Sequence, residues 1–190
     1  RIYIGTWATV SAVHVSPEIP EGGFTPVSID SEMWPKVWTS DVAEPTKTLG
    51  RSITSVAGFH EWRNHLYWGV FCPNYYVLST AQATYGSLTS PDALAFILGN
   101  YRTPSFWRID KDNNYELLYG DTTNPKPVYD KEGKIENWEL EPSGLEAKWG
   151  RGGFGNLWTI YIWAIQEYDG NMYVGCLLYT SPSPRDATLS

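Results

Sequence analysis

One segment of the chain occurs twice. Phe59-His60-Glu61-Trp62-Arg63-Asn64-His65-Leu66-Tyr67-Trp68-Gly69 returns as Ile165-Gln166-Glu167-Tyr168-Asp169-Gly170-Asn171-Met172-Tyr173-Val174-Gly175. The end of the same pattern opens the chain as Arg1-Ile2-Tyr3-Ile4-Gly5-Thr6. Each copy reads as strand, turn, strand. Around the first, Ile53, Ser55, Ala57 and Phe59 alternate with Thr54, Val56 and Gly58, the period of a pleated strand. The turn falls at Arg63-Asn64, and the second copy places Asp169-Gly170 there, a strong two-residue hairpin signal. A repeated hairpin cannot bury both of its faces alone, so the pattern predicts a repetitive all-β architecture in which neighbours cover one another.

The rest of the chain adds strands and long connections. Ser105 to Asp110 and Tyr115 to Tyr119 form a second hairpin, which with residues 53–71 predicts a four-stranded antiparallel unit over 51–120. Residues 1–50 read as a partial unit with loops. Within them, 16–30 are rich in Pro and Gly, and Pro35 confines any strand at 32–39 to an edge or a bulge. Ser90-Pro91-Asp92 supplies a cap, a first-turn proline and an early acid, and Gly99 a stop, so a short helix is predicted near 91–98. Residues 121–158 read as a long polar loop with a small hairpin about Asp130 to Gly133, and 159–175 as the start of a further unit.

The hairpins ending in Tyr-Val-Gly, the Phe106-Trp107-Arg108-Ile109-Asp110 strand, the Tyr115-Glu116-Leu117 strand and the Gly152-Gly153-Phe154-Gly155-Asn156 lead-in together resemble blades of secreted or surface microbial β-propellers. The resemblance spans roughly residues 51–175. It implies a partial β-propeller: one four-stranded blade, parts of two neighbours, and remaining blades in a parent chain. It also implies an extracytoplasmic or secreted setting. The repeats are spaced more widely than the ~40–50 residues of an ordinary blade, so the excess lies in the connections at 72–104 and 121–158. Long loops on a rigid sheet are where such folds keep their function. At the C-terminal end, Cys176 to Asp186 resembles the translation of a transposase-type sequencing adapter. Residues 176–190 are therefore read as a non-native tail, and the chain as a truncated fragment.

Composition narrows the partners. Among 190 residues the net charge is -7, which disfavours a phosphate backbone as ligand. No apolar run is long enough to span a bilayer. Cys72, at a strand end, reads as a small buried hydrophobe.

Aromatic residues make up 15% of the chain, with 10 Trp. Tryptophans on strands, at positions 62, 68, 107 and 163, are expected in the core. Trp138, Trp149 and Trp158 fall in loops or at their edges beside Tyr129 and Tyr161, and exposed rings there would stack on the apolar faces of sugars. These five are the candidate ligand-binding residues.

Asp110, Asp112 and Asn114 offer oxygens at alternate positions, as calcium loops do. Tyr115, however, stands where a helix-loop-helix calcium site needs glycine, and a plain polar turn explains the same residues. No other cofactor is expected. His14, His60 and His65 lack metal-ligand spacing, and Glu136, Glu139, Glu141 and Glu146 read as a solvated acidic stretch. Two functional readings follow: a non-catalytic binding or scaffold unit for a carbohydrate or protein ligand, or a carbohydrate-active hydrolase or lyase using acids of the long loops.

Overall fold

The computed structural model describes residues 1–7, 10–19, 21–23, 34–43, 55–72, 79, 82–83 and 101–178. The helix predicted near 91–98 lies outside them. The described chain is all-β with antiparallel sheets. Its strands are β1 (Tyr3–Gly5), β2 (Ala12–Val15), β3 (Lys36–Thr39), β4 (Ser55–Trp62), β5 (His65–Phe71), β6 (Phe106–Ile109), β7 (Tyr115–Tyr119), β8 (Thr123–Tyr129), β9 (Ile135–Pro142), β10 (Thr159–Tyr168) and β11 (Asn171–Leu178). One four-residue helix, α1 (Ser40–Ala43), follows β3.

Both copies of the repeat are hairpins with the same pairing. His60 faces Tyr67 as Gln166 faces Tyr173, and Phe59 faces Trp68 as Ile165 faces Val174. The turns have the left-handed backbone that two-residue hairpins require: Arg63 and Asn64 at φ 48° and 60°, Asp169 and Gly170 at 49° and 70°. β4, β5, β6 and β7 pair in sequence as an antiparallel ladder. β10 joins this sheet at the end of β5 through the pair Tyr161–Phe71, and β11 pairs with β10. β1, β2 and β3 form a separate three-stranded sheet.

Strand alternation sorts the side chains of the β4–β7 ladder onto two faces. Trp68, Val70, Trp107, Ile109 and Leu117 gather on one, where Val13 and Trp38 of the β1–β3 sheet cover them. Tyr67, Phe106 and Leu118 gather on the other, under Ile162 and Ile165 of β10. The first cluster centres on three indoles. Trp38 stands edge-on to Trp68 and Trp107, with ring centroids 5.7 and 5.4 Å away, and Trp68 and Trp107 lie nearly parallel at 6.3 Å. The expectation that Trp68 and Trp107 fill core is met, and Cys72 is buried as a small hydrophobe.

Glycines allow the layers this close. A Cβ on Gly69 would lie 2.2 Å from the Ile162 Cβ, so only glycine lets β10 descend onto β5. Gly58, at φ 58°, is the extra residue of a bulge in β4 and lies under the Trp163 carbonyl.

Three features differ from the sequence reading. Residues 123–142 form a ribbon paired over its whole length, not a loop with a small hairpin. Pro125 and Pro127 argue against a central strand, but a two-stranded ribbon has only edges, where a missing N–H costs little. β11 runs past the bound of 175 read from sequence, with Cys176, Leu177 and Leu178 opposite Ile162, Tyr161 and Thr159. Trp163 is 61% exposed, not core. It is the unpaired residue between the pairs Ile162–Cys176 and Ala164–Gly175, so this bulge takes its indole out of the alternation.

Candidate functional site

The five aromatic residues singled out from sequence do not converge. Tyr129 and Trp138 lie on the β8–β9 ribbon, Tyr129 opposite Ile135 and Trp138 opposite Pro127. Trp149 follows β7. Its backbone N–H donates to the Leu118 carbonyl, and its ring stands edge-on to Tyr119 at 5.9 Å. The Arg108 guanidinium lies 5.9 Å from its centroid. Trp158 is exposed just before β10, and its backbone N–H donates to Asn156 Oδ1. Tyr161 joins an aromatic assembly that is open to solvent at both ends.

That assembly runs across the three hairpin layers. Trp7 follows β1, Phe71 ends β5, and Tyr161 lies early in β10. The Trp7 and Phe71 rings are 5.7 Å apart, and Phe71 stacks on Tyr161 at 3.6 Å with planes within 9°. Tyr161 meets Trp163 edge-on at 5.5 Å. Phe71 is buried in the middle, while Trp7 and Trp163 are 59% and 61% exposed.

The two exposed indoles line one groove of about 440 Å³. Residues 56–59 of β4 and 3–5 of β1 complete its walls. Trp7 is held in place, since its Nε1–H donates to the Val56 carbonyl at 2.6 Å. Trp163 is presented by its bulge, and Gly58 contributes no side chain to fill the space between. A ring-lined trough with fixed indoles suits a flat apolar face edged by hydroxyls, because indoles offer both a π-face and a polar N–H. Sequence reasoning missed Trp7 and Trp163. The first lies outside the repeat, and the bulge that exposes the second leaves no mark in residue type.

Asp110, Asp112 and Asn114 lie in the β6–β7 turn. Asp110 Oδ1 accepts the backbone N–H groups of Asp112 and Asn114 at 2.8 and 2.9 Å, and Oδ2 accepts Asn114 Nδ2 at 3.0 Å. Asp112 pairs with Lys111. Among the described residues no group of three or more His, Cys, Asp or Glu is placed to hold a metal. The side-chain hydrogen bond from Asn114, with the backbone N–H groups, draws the Asp110 carboxyl below the usual carboxylate range. A lowered folded-state value means the turn is supported above the ordinary carboxylate range. That support is lost as pH falls through the lowered value. Protection of the Asp112 and Asn114 amides from hydrogen exchange, taken relative to their intrinsic rates, is expected to fall on that acid limb, and Asp110→Asn is expected to remove the step.

Glu116 is engaged by two cations. Lys148 and then Arg108 hydrogen-bond to it and hold its titration low. This clamp fastens the 148–150 segment along β7, where Lys148 N–H donates to the Leu117 carbonyl and Gly120 N–H to the Gly150 carbonyl. The edge of the ladder is thereby covered. Glu136, Glu139 and Glu141 spread along β9, and Glu141 pairs with Lys126 at 3.6 Å.

No protein-family profile, curated protein or solved structure matches the chain.

Proposed function

We propose that this chain is a recognition unit of propeller-type blades that binds carbohydrate by stacking and performs no reaction on it. The carrying observation is the pair of indoles, Trp7 and Trp163, each more than half exposed, on one glycine-floored groove. Exposed tryptophan is costly to leave in water and is the side chain best suited to sugar faces. The blade reading rests on the repeated hairpins and on their layered packing across the ladder. An extracytoplasmic setting, where glycans are met, accords with it.

The test is a titration with soluble β-linked oligosaccharides, read by indole fluorescence and by ring-proton shifts. Saturable binding that perturbs Trp7 and Trp163 is expected. Trp163→Ala is expected to weaken binding about tenfold or more, the equivalent of one lost stacking contact. Trp149→Ala, away from the groove, is expected to leave it unchanged. Binding unaffected by Trp163→Ala would remove the groove from consideration.

A further inference from the structure

The layers are joined by one packing rule, used twice. β1, β5 and β11 carry the same Tyr-X-Gly: Tyr3-Ile4-Gly5, Tyr67-Trp68-Gly69 and Tyr173-Val174-Gly175. At Gly5 the space a Cβ would take is occupied by Val56 of the next hairpin, 2.6 Å away. At Gly69 it is occupied by Ile162 of the hairpin after that, 2.2 Å away. Val56 and Ile162 are equivalent positions of the repeat, each three residues before the aligned Phe59 and Ile165 and each paired across its hairpin, to Val70 and Cys176. A β-branched knob from each hairpin thus enters the glycine window of the one before.

Among the described residues nothing from another hairpin occupies the third window. A Cβ on Gly175 would meet only Ala164 of its own hairpin, at 3.5 Å. Tyr67 is buried to 2% exposure beneath Ile162, whereas its counterpart Tyr173 is 56% exposed and Tyr168 is 73% exposed. Those two tyrosines already stand edge-on at 6.3 Å, as the equivalent Trp62 and Tyr67 pair at 6.0 Å under their cover.

We propose that the Tyr168–Tyr173–Gly175 face is a docking surface for one more antiparallel β-hairpin of the same repeat, which seats a β-branched aliphatic residue over Gly175. The occupant follows from continuity with the two interfaces already in the chain. Its first strand carries a Val or Ile three residues ahead of a large apolar residue, as β4 and β10 do. This inference rests on the reading of the hairpins as successive units and is independent of the sugar groove.

The experiment titrates the full chain with a synthetic peptide of residues 55–71, cyclised because an isolated two-stranded hairpin is marginally stable. Amide shifts are followed on the isotope-labelled chain. Saturable shifts at Tyr168, Tyr173 and Gly175 are expected. Gly175→Val is expected to weaken docking about tenfold or more by filling the window, and Val56→Asp in the peptide is expected to do the same by spoiling the knob. Absence of shifts on this face overturns the proposal, as does a Gly175→Val chain that binds equally well. Concentration-dependent shifts of the same face without peptide would overturn it in favour of a second copy of this chain. Oligosaccharide binding at Trp163 is read in a separate titration, so either result stands without the other.

Discussion

Trp107→Ala is expected to lower the free energy of unfolding by about 3–5 kcal/mol. Trp107 is fully buried and lies against both other indoles of the core, parallel to Trp68 and edge-on to Trp38. Its Nε1–H donates to Ser105 Oγ at 2.7 Å. Truncation removes three ring contacts, to Trp38, Trp68 and Tyr115, each worth about 0.5–1.5 kcal/mol beyond area. It also opens a cavity that strands on both sides are too well paired to close. Since domains of this size are stable by only about 5–15 kcal/mol, the loss is a large share of the total. Trp107→Phe keeps a ring between Trp68 and Trp38 and loses chiefly the hydrogen bond, so a smaller loss of about 1–2 kcal/mol is expected. Urea unfolding with near-ultraviolet circular dichroism reads both. A Trp107→Ala loss below about 1 kcal/mol would mean the three indoles do not form the joint between the sheets.

The hairpins were legible because two independent signals agreed in each. Alternation marked the strands, and Asn64 and Gly170 marked the turns. The β8–β9 ribbon was legible only at its tip, where Asp130 and Gly133 make the turn. Its body, with three prolines and three glutamates in the strands, carries the composition of a loop, and only pairing of both strands to each other alone reconciles that composition with β structure. The groove was less legible still. Trp163 sits in a continuous apolar run, Ile160 to Ile165, that would ordinarily bury it. Whether a bulge falls at residue 163 in β10 or at residue 58 in β4 depends on how two layers meet, which is a long-range property. Trp7 was unremarked because its partner, the Val56 carbonyl, is far away in sequence and no local pattern announces it. The loop tryptophans Trp149 and Trp158 are exposed, but neither lines the groove between Trp7 and Trp163.

Gly69→Ala and Gly175→Ala, the same substitution at equivalent positions of the repeat, are expected to have opposite effects. Gly69 does not occupy the left-handed region, so alanine is allowed by its backbone and any cost is steric. The added methyl would stand 2.2 Å from Ile162 Cβ and 2.3 Å from Ile162 Cγ2, far inside contact distance, with the β10 backbone directly behind. The side chain cannot swing aside, because a β-branched residue is stiff about its first torsion. The hairpin must lift from the ladder, at an expected cost of about 1–3 kcal/mol. At Gly175 the methyl meets only ordinary contact, and replacing a strand glycine reduces the freedom lost on folding, so a gain of about 0.5 kcal/mol is expected. Shrinking the knob tests the cause. Ile162→Ala alone is expected to cost about 2–5 kcal/mol, but combined with Gly69→Ala the total should fall short of the sum, since the new methyl occupies part of the vacated space. Additive losses in that double-mutant cycle would mean the glycine and the isoleucine do not meet, and the layered packing of the repeats would have to be redrawn.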